Sequence, residues 1–245
     1  MTTHAVETSP QVYARIGGVL YLIIIVFGLF AEGFVNNVLI VSGDPAATAY
    51  NIMAHPLLWR VSVAGNMLVP LLAVGLLLVE YVLLRPVSKH LVLLAVFFNL
   101  VSLAVEAVSK LYLLDMLALL GDAAYLKVFS AAQLQTLAYL ALKSHDVAWN
   151  SALIFFGCTC LVNGYLIFRS GYLPKAIGVM MQIAGLSYLI ACIAALFAPA
   201  LANLILPAIL LPSLIGESSL CLWLLLKGVN LTQWKRHAGI ANQAT

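Results

Sequence analysis

The chain has 245 residues, of which 64% are hydrophobic and 9% charged, with a mean hydropathy of +1.06. A water-soluble domain carries about 25% charged residues, and no water-facing fold of this size can hide so much apolar surface. The composition therefore calls for a bilayer, and a net charge of only +3, with the basic residues scattered at the ends of apolar runs, excludes a nucleic-acid partner.

In chain order, residues 1–12 are polar and read as a disordered cytoplasmic N-terminus. The apolar run that follows is too long for a signal peptide and has no small-x-small cleavage site after it, so it reads as an uncleaved first span. A span needs about 20 mostly apolar residues. On that measure the spans cover 13–41, 57–84, 91–120, 147–168, 176–197 and 204–226. The expected fold class is an all-α polytopic membrane bundle of six transmembrane helices, a single domain over 13–229, with a short basic cytoplasmic tail over 230–245.

With six spans, Arg15, Arg85, Lys89, Arg169, Lys175, Lys227, Lys235 and Arg236 fall on one side. The positive-inside rule then places both termini in the cytoplasm of a cell with an inner, cytoplasmic membrane. The two longer links, 42–56 and 121–146, lie on the other side, and each carries a signal for a short extracytoplasmic interfacial helix. Asp44-Pro45 supplies an N-cap followed by proline at the first helical position, and Ser130 with Gln133 forms a capping-box pattern. A helix unbroken from there to Phe168 would be about 58 Å long against a hydrocarbon core of about 30 Å. A bend is therefore expected near Ser144-His145-Asp146. The four cysteines lie inside apolar runs and read as small hydrophobes rather than a disulfide framework.

Five stretches carry a resemblance: ARIGGVLYLI (14–23), LLRPV (83–87), AQLQTLAYLALKSH (132–145), FFGCTCLVNGYLIFRSGYLPKAIGV (155–179) and LIGESSLCLWLLLKGV (214–229). They are similar to an uncharacterised bacterial multi-pass membrane protein family, domain-of-unknown-function family 4386. The resemblance spans 14–229 and implies six spans. It brings no activity, substrate, cofactor or catalytic residue with it.

Ionisable groups within membrane helices are costly and are therefore functional candidates. Glu32, Arg60, Asn66, Glu106, Lys110, His145, Asp146, Asn150 and Glu217 fall at overlapping heights on different helices, and the cheapest arrangement gathers them around one outward-open polar cavity. Pro70, Pro207 and Pro212 loosen the helices beside it. Glu217 is expected to meet Glu32, Asn66 or Asn150, with Lys110 or Arg60 reaching down to it. Bland readings stand beside these. Glu106 and Lys110, four apart, make a structural pair; Glu80 is solvated at the inner interface; Asn99 and Asn163 bond helix to helix.

No HExxH, histidine pair at helical spacing, GxSxG, phosphate loop or dinucleotide fingerprint is present. No metal ligand set is assigned, and no cofactor is named by any residue. The leading expectation is binding or transport of a small polar or amphipathic molecule from the extracytoplasmic side, the lipid bilayer being the other partner. The alternatives are an intramembrane hydrolase, metal-dependent or acid–base, built on Glu32, Glu217 and His145, and an accessory structural subunit.

Overall fold

A computed structural model describes residues 9–239. Most of the expected N-terminal arm and the last residues of the tail fall outside that range. Helix begins at Pro10, earlier than expected, because Ser9 accepts the Gln11 amide and proline occupies the first turn.

Among the described residues the secondary structure is helical. The first span is built from α1 (Pro10–Gly28), a π-helical segment (Leu29–Val35) and α2 (Asn36–Leu39). Then follow α3 (Pro45–Ala54), α4 (Pro56–Leu84), α5 (Lys89–Leu119), a 3-10 turn (Ala124–Val128) and α6 (Ala131–Ser170). The remainder is α7 (Lys175–Phe197), α8 (Pro199–Ile205), a second 3-10 turn (Ala208–Leu210), α9 (Leu211–Leu226) and α10 (Leu231–His237). Six helical stretches are long and apolar enough to cross a membrane: Pro10–Leu39, α4, α5, α6, α7 and Ala208–Leu226. Large apolar side chains such as Leu71, Leu78 and Phe97 are exposed on their outer faces, as lipid-facing positions should be.

The spans pack in a closed ring that follows the sequence, α1–α4–α5–α6–α7–α9 and back to α1. The seam between first and last spans is tied by polar contacts. Arg15 donates to the Leu225 carbonyl. Gln11 donates to the Lys227 carbonyl at 2.9 Å and accepts the Val229 amide at 3.0 Å. Between α6 and α7 the backbones nearly touch. A Cβ at Gly178 would sit 2.6 Å from the Phe168 nitrogen, and one at Gly164 would sit 2.7 Å from the Gly178 oxygen. Only glycine allows that approach.

The alternation of the spans gathers Arg15, Arg85, Lys89, Arg169, Lys175 and Lys227 at one end, called here the basic end. The tail contributes to it, since α10 folds back and buries Trp234. The Trp234 indole and the Tyr172 hydroxyl both donate to the Leu83 carbonyl, at 3.2 and 2.6 Å. Leu83 belongs to the last turn of α4, where carbonyls lack helical partners. Burial raises the Tyr172 phenol above the usual tyrosine range, so it stays a donor there.

At the far end the two capping signals are met. Asp44 accepts the Ala47 amide at 2.9 Å, and Ser130 and Gln133 exchange bonds at 2.8 and 3.3 Å. No break occurs where the bend is expected: α6 is one continuous helix of 40 residues, about 60 Å along its axis. Its first turns have apolar neighbours of their own. Ala138 and Leu142 pack with Leu39, Ile52, Trp59, Leu113 and Met116 from α2, α3, α4 and α5. That second apolar core holds the first turns as a continuation of the helix. The sixth span is broken as its prolines suggest, and Ser187 of α7 donates to the Ile209 carbonyl beside the break. Pro70 lies inside α4 without ending it.

Candidate functional site

Two polar centres are buried in the bundle, one above the other. The far-end centre takes Glu32 from the π-helical segment, Asn66 from α4, Glu106, Ser109 and Lys110 from α5, and His145 and Trp149 from α6. Along α5, Glu106 and Lys110 stand about 25 and 31 Å from Lys89, near the far boundary of a hydrocarbon core about 30 Å thick.

Lys110 is 1% exposed. Its Nζ lies 3.9 Å from the centroid of the Trp149 ring, a cation–π contact, and has no hydrogen-bond partner. Glu32 and Glu106 both act on it electrostatically, and each has one buried oxygen without a partner. The other Glu32 oxygen accepts from Asn36 at 2.6 Å, and Asn66 is a further donor to that carboxylate. His145 lies parallel to Trp149, with centroids 6.3 Å apart. Its Nδ1 is 3.0 Å from the Ser109 carbonyl. Since a carbonyl only accepts, Nδ1 carries the proton and a neutral ring presents Nε2 as an acceptor. Nε2 faces Glu32 Oε1 across 4.0 Å, too far for a direct bond but right for a bridging donor. Around Lys110 the site therefore offers one free ammonium and several free acceptors.

The remaining candidates are placed differently. Asp146 turns outward to Lys143 in a pair at 3.0 Å, with both side chains nearly half exposed. Asn150 bonds back to the Asp146 carbonyl at 2.8 Å. Arg60 is exposed on α4. His145, Lys110 and Glu106 are sealed rather than spread around an open cavity, and Glu32, whose side chain is 33% exposed, forms the edge of the site.

Glu217 does not join this group. Its carboxylate accepts from the Tyr188 hydroxyl of α7, with Tyr21 of α1 a second donor. It stands about 15 Å from Lys227 along α9. Glu80 belongs with it and is not simply solvated. It is half-buried, accepts from Asn163 of α6 at 3.0 Å, and lies in the field of Glu217. Sequence reading missed Trp149, Tyr188 and Tyr21, because aromatics in apolar runs look like core. It missed Glu80 because of its nearness to Arg85. The proximity of Glu80 and Asn163 carried no signal at all, since they are 83 residues apart.

Among the described residues, no three of His, Cys, Asp and Glu come together as a metal-holding group, and the four cysteines are free. The ring of spans and its buried charges define a multi-pass α-helical membrane protein with internal polar centres. The chain belongs to the family described as Domain of unknown function (DUF4386), whose model matches residues 16–228. It is similar to an uncharacterized protein of Archaeoglobus fulgidus, 28% identical over 177 residues, covering 70% of this chain and 86% of that one. No solved structure matches the chain.

Proposed function

We propose that the far-end centre binds a small polar or amphipathic molecule, for capture or transport, and that the far end faces away from the cytoplasm. Lys110 carries the reading. A buried ammonium without a hydrogen bond is expensive, and it lies among carboxylate oxygens that also lack partners. A molecule bearing both N–H or O–H donors and an acceptor satisfies both at once. The exposed edge at Glu32 is its entry, and the π-helical turn there is a distortion common at functional sites. The basic residues at the opposite end support the orientation.

The test is a thermal-shift panel on purified protein in detergent, using amino acids, amino alcohols and short-chain zwitterionic lipids. At least one class should raise the melting temperature of the parent and leave Lys110→Met unmoved. The double variant Glu106→Leu/Lys110→Met separates stability from binding, because it removes opposite charges together. It should melt above Lys110→Met, since breaking one partner of a buried pair costs about 3–5 kcal/mol. A panel without a shift, together with full biological activity in the double variant, would sink the proposal.

A further inference from the structure

The second centre shares no residue with the first, and its chemistry is different. Asn163 donates through Nδ2 to Glu80 Oε2 at 3.0 Å. That bond fixes the amide, so its Oδ1 is turned elsewhere; the atom is buried and has no partner, on a residue 4% exposed. Glu80 and Asn163 lie together at the edge of a cavity of about 20 Å³, walled by Leu83, Leu84, Leu220 and Leu224. That is room for one water. Glu217 is one turn before Leu220 on α9, and Tyr188 and Tyr21 hold its carboxylate from α7 and α1.

We propose that Glu80, Asn163 and Glu217 form a binding site for a small monovalent cation, of the sodium class, in the basic-end half of the bundle. The groups offered are all oxygens, the ligands of hard cations. The free amide oxygen needs a positive partner or a donor. Two carboxylates in each other's field inside a membrane are relieved by a nearby cation, the alternative to taking up a proton. Tyr188 and Tyr21 already draw on Glu217, so the site has fewer oxygens to give than the roughly six to eight that calcium takes. α4, α6 and α9 come from three different parts of the ring, so a cation here ties the spans together.

The experiment is thermal melting of the purified full chain in detergent, with sodium chloride titrated against choline chloride at constant ionic strength. Sodium should give a saturable rise of a few degrees that choline does not. Glu80→Gln and Asn163→Leu should each lose the dependence, while Glu32→Gln, outside the site, should keep it. The parent protein alone decides the main point, so a variant that fails to fold does not rescue the proposal. Equal melting in sodium and choline means that a proton or Arg85 neutralises the carboxylates, and the proposal fails. It fails equally if calcium stabilises more than sodium, or if Glu80→Gln and Asn163→Leu fold and still respond to sodium as the parent does.

Discussion

At the scale of single residues, Glu217 separates charge from hydrogen bonding. Tyr188 and Tyr21 both donate to it. Glu217→Gln keeps an acceptor for them, whereas Glu217→Leu leaves two buried hydroxyls without one. An unsatisfied buried donor costs about 1–3 kcal/mol, so the leucine variant should melt well below the glutamine variant in the same detergent. Equal melting temperatures would show that the tyrosines find other acceptors. The sequence marked Glu217 as a group that must face inward, because a carboxylate on an apolar helix has nowhere else to go. It did not give the partners. Expecting Glu32, Asn66 or Asn150 rested on height along separate helices. Height says nothing about which helix stands next to which, and α9 turns out to sit between α7 and α1.

At the scale of elements, the α6–α7 contact is governed by glycine. At Gly178 an added methyl would press on the backbone of Phe168, with atoms at 2.6 and 2.9 Å. Backbone cannot swing aside as a side chain can, so Gly178→Ala should destabilise by about 1–3 kcal/mol, the usual cost of overpacking. Gly28 is the opposite case. It is helical, and nothing lies within 4 Å of its added Cβ. Gly28→Ala should therefore hold or raise the melting temperature, by up to about 1 kcal/mol. Comparing both variants by thermal melting tests the packing directly. If Gly178→Ala melted like the parent, the helices would not be in backbone contact. Nothing in the sequence distinguishes these glycines, since both lie in apolar runs. The length of α6 was misjudged for a related reason. Capping box and apolar pattern located its start, but bilayer thickness alone argued for a bend, and the apolar core with α2, α3, α4 and α5 that lets the helix run on unbroken is a tertiary fact.

At the scale of the whole molecule, the sorting of basic residues makes a topological prediction. A reporter fused after Lys89 should read cytoplasmic, and one placed near Asp122 should read extracytoplasmic. A cytoplasmic signal near Asp122 would reverse the orientation and with it the side from which the far-end site is approached. The six spans themselves were legible from composition and run length, because a bilayer imposes one length and one solvent on every helix that crosses it. The same uniformity hides neighbour relations. All sides of these helices are apolar, whether they meet lipid or protein, so periodicity cannot point a face toward a partner. The chain order therefore determined the number of spans, the two caps at the far end and the costly polar groups within the spans. Only the closed ring decided that those groups divide into two centres, one around Lys110 and one around Glu80 and Glu217. The cost of burying a charge is a property of the residue, whereas its relief depends on which helices packing brings alongside.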